Sequence, residues 1–190
     1  MKGCGPCLQI PAKRGKWSCR AVTDTLEPGG MVMEMPKPTD HHRKLQALAG
    51  QWVGQEKMHP SPWDPKGGTV TSRTTSRLDL GGFFLTCDYV QERGGQPGYR
   101  GHGVFGWDPK LQRYTMHWFD MMGGHAAPPA TGTWEGNTLC LQHESEMGHA
   151  RYIYEFEGPD AYRFRLEHSQ DGRNWAVFVE GRYTRAAPAL

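Results

Sequence analysis

The sequence predicts an all-β fold: an antiparallel up-and-down barrel of about ten strands, with one short N-terminal helix and a disordered N-terminal tail. Three observations carry that prediction. From Gln51 to the end, short runs rich in β-branched and aromatic residues recur, several alternating apolar with polar positions. Tight-turn residues separate the runs, so sequential strands pair antiparallel. The 25 Gly and 14 Pro argue against a helical bundle. Closing such a sheet removes its two exposed edges, which favours a barrel; a two-sheet sandwich is the alternative.

Residues 1–38 differ from the rest and are expected to form the tail, leaving 39–190 as the barrel domain. Pro and Gly recur there, and neither a period of two nor one of 3.6 is sustained. Met31, Met33 and Met35 are alternative translation starts, in which case the tail is not translated. Cys4-Gly5-Pro6-Cys7 spells a thioredoxin-type motif, but that chemistry needs a preceding strand and only three residues precede it. A zinc site on Cys4, Cys7 and Cys19 needs a fourth ligand, for which His41 and His42 are the candidates. An incidental tail is the expected reading, and Cys87 and Cys140, inside predicted strands, are expected to be buried free thiols.

Thr39 and Asp40 are helix-capping residues after Pro38, and the following HHRKLQALA gives about two turns with Leu45 and Leu48 on one face. So short a helix must pack on something, and a plug over one end of the barrel is the expected place. Strands are predicted near 51–58, 68–78, 82–91, 99–107, 112–121, 130–135, 138–145, 149–157, 160–168 and 174–184. The turns between them include Gly81-Gly82, Gly94-Gly95-Gln96-Pro97-Gly98, Trp107-Asp108-Pro109-Lys110, Glu135-Gly136-Asn137 and Gln170-Asp171-Gly172-Arg173.

Alternation assigns faces. Tyr162, Phe164, Leu166 and His168 alternate with Arg163, Arg165 and Glu167, and Tyr152, Tyr154 and Phe156 share a face opposite Arg151 and Glu155. Inward tyrosines on adjacent strands suit a cavity with polar spots, although a packed aromatic core fits the same pattern. Barrels of about eight strands can fill themselves, whereas ten leave more room for a ligand. Trp118 and Asp120, two apart on one strand, project from one face, and Glu56 shares a face with Trp52 and Met58.

The charge balance narrows the partners. The net charge is +2, but residues 1–38 hold six Lys/Arg against three Asp/Glu, leaving 16 basic and 17 acidic residues in the remainder. With no basic face expected there, nucleic acid is excluded as a partner. No run approaches the roughly 18 apolar residues of a membrane span. The N-terminus also lacks the ~7–15-residue apolar core of a secretory signal. A cytoplasmic monomer or homodimer without a membrane partner is therefore expected.

Leu48-Ala49-Gly50-Gln51-Trp52 is an L-x-G-x-W motif between the helix and the first strand, and it resembles the start of the lipocalin-like (calycin) β-barrels, whose Trp closes one end. Leu80-Gly81-Gly82-Phe83-Phe84, Gly106-Trp107-Asp108, Trp118-Phe119-Asp120 and Gly132-Thr133-Trp134-Glu135 follow in order. The series resembles the bacterial domain-of-unknown-function family 1579 from about Leu45 to Arg185. That resemblance implies the barrel and a soluble bacterial context, and no established reaction. The nitrobindins, haem-holding barrels of ten strands, share the L-x-G-x-W motif. Here, however, Val53 to Met58 holds a single Gly and Trp175 to Arg185 holds no His.

The expected function is therefore the binding of a small, mainly apolar molecule, without a cofactor. Trp118, Tyr152, Tyr154, Tyr162 and Phe164 would line its cavity, with Asp120, Glu56 and His168 as orienting polar groups. In a second reading Asp120, its pKa raised beside Trp118, is the general acid or base of an isomerase- or cyclase-like enzyme, with Glu56 as the other candidate acid. A third is haem binding with His168, His143, His117 or His102 as axial ligand. His117 and Asp120 lie on opposite faces, His125 follows Gly123-Gly124 in a loop, and His143, Glu144 and His149 match no recognised zinc pattern, so no metal is expected.

Overall fold

In a computed structural model, residues 34–62, 64–123 and 128–186 are described. The tail cysteines Cys4, Cys7 and Cys19, the starts Met31 and Met33, and His125 lie outside the described residues. Ten antiparallel strands form a closed barrel within Pro36–Leu190. They are β1 (Gly50–Met58), β2 (Gly68–Asp79), β3 (Phe84–Arg93), β4 (Gln96–Asp108), β5 (Arg113–Asp120), β6 (Ala130–Glu135), β7 (Thr138–Ser145), β8 (Gly148–Phe156), β9 (Ala161–Ser169) and β10 (Ala176–Arg185). Each strand pairs with the next, and β1 closes on β10 from Trp52↔Arg185 to Met58↔Val179.

The strands begin and end where the turn chemistry dictates, with two instructive differences. Gly94 and Gly95, at φ 58° and 77°, make a two-residue turn, so Gln96, Pro97 and Gly98 join β4 rather than the loop expected for 94–98. Leu80–Gly82 forms a 3₁₀ turn, held by the Asp79 carboxylate accepting from the Leu80 N–H at 2.7 Å, which delays β3 to Phe84. The β4–β5 turn behaves as its Asp-Pro sequence requires: Asp108 Oδ1 accepts from the N–H groups of Lys110 (2.8 Å) and Leu111 (3.0 Å).

The helix α1 (Asp40–Lys44) continues as a 3₁₀ turn over Leu45–Leu48. His42 stands in for the acidic residue of a capping box, its Nδ1 accepting the Thr39 N–H at 3.1 Å. Leu45 and Leu48 are buried at the end of the barrel where β1 begins, beside Trp52, whose indole N–H donates to the Leu48 carbonyl at 3.0 Å. The Arg185 guanidinium lies 4.2 Å over the Trp52 ring and donates to the Ala49 carbonyl at 2.6 Å. Trp107, Tyr114, Trp134, Phe156 and Tyr162 extend this aromatic packing round the same end. No described helix is long and apolar enough to cross a membrane.

Outward positions are not uniformly wet. Glu167, on the outer face of β9, is buried beneath Arg151 and Arg165, both of which pair with it. Cys87 is a buried free thiol, its pKa pushed up to about 11 by burial. Cys140, expected to be buried, is a free thiol but only half-buried, because it lies on the outer face of β7 opposite Ile153 and Thr133.

Candidate functional site

The barrel encloses a cavity of about 740 Å³, bounded at one end by Leu48 and reaching solvent at the other past Met122 and Met147, which line it and are 80% and 61% exposed. Seven of the eight residues expected to line a cavity do so: Glu56, Trp118, Asp120, Tyr152, Tyr154, Tyr162 and Phe164. His168 does not. It has the inward parity but sits one step beyond Leu166, where its Nε2 bonds the Met147 carbonyl in the β7–β8 turn at 3.0 Å.

The deeper of the two acids is Glu56, 1% exposed. Its Oε2 accepts from the Ser72 hydroxyl, from the Tyr89 hydroxyl at 2.6 Å and from the Gln91 amide at 3.3 Å. Its Oε1 accepts from the Tyr183 hydroxyl at 2.5 Å. Among the described residues no Lys, Arg or His forms an ion pair with Glu56, so these four neutral donors replace the water a buried carboxylate has lost. Burial, reinforced by the Glu56 charge, pushes the phenols of Tyr89 and Tyr183 far above their ordinary pKa and keeps them donors. Two glycines give this cluster its room. A Cβ at Gly54 would stand 2.6 Å from the Tyr183 ring, and one at Gly181 would stand 2.8 Å from the Glu56 side chain.

The second acid, Asp120, sits near the mouth. The Trp118 indole N–H donates to the Tyr99 hydroxyl at 3.0 Å, and that hydroxyl donates to Asp120 Oδ2 at 2.7 Å. Oδ1 accepts the Met122 N–H at 2.9 Å. Burial raises the Tyr99 pKa, Asp120 adds to the rise, and the Trp118 bond opposes it. The indole lies flat over β4 because Gly101 and Gly103 leave it a slot: a Cβ at Gly101 would fall 2.1 Å from the ring. Arg93 reaches Asp64 at 2.5 Å, and both line the cavity.

β1, β2 and β3 carry much of the polar lining, with Glu56, Ser72, Thr74, Ser76, Tyr89 and Gln91 beside the apolar Met58, Leu85 and Cys87; Phe105, Met116, Tyr152, Tyr154, Phe164 and Leu166 line the interior from β4, β5, β8 and β9. Thr74, 8% exposed, lines the cavity with its hydroxyl lacking any hydrogen-bond partner; it stands near the Tyr162 phenol, outside hydrogen-bond geometry.

Sequence reasoning missed Tyr89, Tyr99, Gln91 and Tyr183, although the glycines at 101 and 103 signalled the close approach of a large side chain to β4. None of the candidate haem ligands His102, His117, His143 or His168 lines the cavity, so the described residues offer haem no axial imidazole there. Among the described residues no three His, Cys, Asp or Glu side chains converge to hold a metal ion.

Residues 37–185 match a family described as "Protein of unknown function (DUF1579)". No curated protein matches the sequence. Among solved structures, the crystal structure of Rv2717c from M. tuberculosis matches with a TM-score of 0.59 at 14% identity, over 78% of this chain and 99% of that one. The S-type phycobiliprotein lyase CPES from Guillardia theta matches with a TM-score of 0.54 at 11% identity, over 81% of this chain and 100% of that one. At these identities both likenesses concern the fold.

Proposed function

The chain belongs to the DUF1579 family of proteins of unknown function, and we propose that its barrel binds a small, mainly apolar molecule in the central cavity. One observation carries the reading: an interior of about 740 Å³, walled by aromatic and aliphatic side chains and crossed by a few fixed polar groups. That volume and that mix are what small-molecule sites of folded proteins share. A core meant only for stability would fill such space, since unfilled volume weakens a fold.

Titration with N-phenyl-1-naphthylamine, an uncharged dye that brightens in apolar surroundings, tests the proposal. Saturable single-site binding is expected. Leu166→Trp, which puts an indole into the cavity, is expected to weaken it by at least about tenfold. A dye signal that never saturates, or one indifferent to the filled cavity in a folded variant, overturns the reading.

The alternative in which Asp120 is a general acid or base is less well supported. Both of its carboxylate oxygens already accept fixed hydrogen bonds, an arrangement suited to anchoring a ligand. Asp120→Asn separates the two readings, since an enzyme would keep binding and lose turnover.

A further inference from the structure

We infer that the ligand is an organic cation, an apolar body bearing an ammonium group that sits between Glu56 and Asp120 in a cage of Tyr89, Tyr99 and Trp118. This rests on the cavity-binding reading and names the chemical class of its ligand.

The charges that line the cavity are unbalanced. Glu56, Asp64 and Asp120 are carboxylates, Arg93 is the single cation, and no Lys or His lines the wall among the described residues. Arg93 is already engaged by Asp64. An anionic headgroup such as a fatty acid's would meet the carboxylates of Glu56 and Asp120, and like charges repel, the more so where burial lowers the local dielectric. A cation would meet the reverse, and would supply the counter-charge that Glu56, inaccessible to solvent and without an ion pair, does not receive from the described protein.

The three rings form walls suited to such a group. Tyr89 stands edge-on to Tyr99 (centroids 6.0 Å apart, planes at 67°) and to Trp118 (5.9 Å, 65°). All three rings line the cavity, and a ring face turned toward it attracts an ammonium group. Their polar ends point to the two acids: the Tyr89 hydroxyl donates to Glu56, and the Tyr99 hydroxyl, held by the Trp118 N–H, donates to Asp120. Tyr89 thus joins both carboxylates through one cage. Among the described residues Glu56 Oε1 accepts the Tyr183 bond alone, and Glu56 lines the cavity, so this oxygen retains capacity for an N–H donor.

An independent sign comes from Thr74. Its buried hydroxyl faces the cavity and has no partner within hydrogen-bond geometry among the described residues, a state that is unfavourable unless something fills it. A ligand with a further polar atom beyond its ammonium group would complete it. The wall of Phe105, Met116, Tyr152, Tyr154 and Phe164 accommodates the apolar body.

Three compounds with one naphthyl body test the inference by displacing bound N-phenyl-1-naphthylamine at pH 7: 2-(2-naphthyl)ethylammonium, 2-(2-naphthyl)ethanol and 2-naphthylacetate. The ammonium compound is expected to bind about tenfold or more tighter than the alcohol, and the carboxylate to bind weakest. In Asp120→Asn the ratio of ammonium to alcohol affinity is expected to fall to within about twofold, a comparison internal to one protein. Should that variant fail to fold, the wild-type series decides alone. Equal displacement by all three, or preference for the alcohol or carboxylate, overturns the cationic ligand while the dye still reports an intact cavity. Failure of the dye itself to bind overturns the cavity reading and this inference with it.

Discussion

The two ends of the barrel use the same alternating strands to opposite effect. Where β1 begins, inward rings meet a helix: Leu45 and Leu48 drop onto Trp52, His41 stacks on Trp107 at 3.8 Å with planes 2° apart, and Lys44 lies 5.0 Å over Trp134. Where β1 ends, nothing described covers the rings. Met122 and Met147 stay exposed, and Arg93 and Asp64 meet at the rim. The comparison teaches that strand patterning only aims side chains inward. Whether the aimed side chains make a plug or a vessel depends on what covers them, here nine residues between Asp40 and Leu48.

That contrast can be broken at its strongest point. Trp52→Ala removes the side chain on which helix, β1 and Arg185 converge, and is expected to destabilise the protein by about 3–5 kcal/mol in urea unfolding. A loss below about 1 kcal/mol would mean the closed end is not the stabilising one. A smaller effect is expected nearer the mouth. Gly101→Ala drives a Cβ into the Trp118 ring and is expected to cost about 1–3 kcal/mol. Its clearer mark should be a shifted tryptophan emission maximum, as the indole leaves its slot and its bond to Tyr99.

The smallest effect sharpens the comparison through pH. Burial, and then the neighbouring charges of His41 and Arg43, lower the pKa of His42, whose Nδ1 must be unprotonated to accept the Thr39 N–H. A group with a lowered folded pKa contributes stability that is complete above its unfolded value, about 6.5. That contribution is lost as the pH falls through the folded value. The melting temperature is therefore expected to drop between pH 7.5 and 5.5. In His42→Gln this part of the drop should vanish, since Gln at the same position can cap without titrating.

Much of the fold was legible because turns and inward rings announce themselves. Asp108-Pro109 and Gly94-Gly95 mark hairpins by backbone chemistry, and β9 alternates aromatic or aliphatic with charged residues without exception from Tyr162 to Glu167. The site was legible only where one strand's parity sufficed, as for Glu56, Trp118 and Asp120. Tyr89, Tyr99 and Tyr183 were not, because what gathers them is register across β1, β2, β3, β4 and β10, which no single run encodes. Strand β2 was the hardest to read. Its inward residues include Ser72, Thr74 and Ser76, small hydroxyls alternating with Arg73, Thr75 and Arg77, so polarity does not separate its faces. His168 shows the complementary limit: parity gives the face and not the depth.

β5 and β6 share three register pairs, Tyr114↔Gly132 to Met116↔Ala130, whereas β4 and β5 share eight. Among the described residues, Trp118 and Asp120 pair with β4 alone, opposite Gly103 and Gly101. If the cavity binds a ligand as proposed, two of the groups that would meet it therefore owe their placement to β4, and a change at Gly101 or Gly103 reaches both of them.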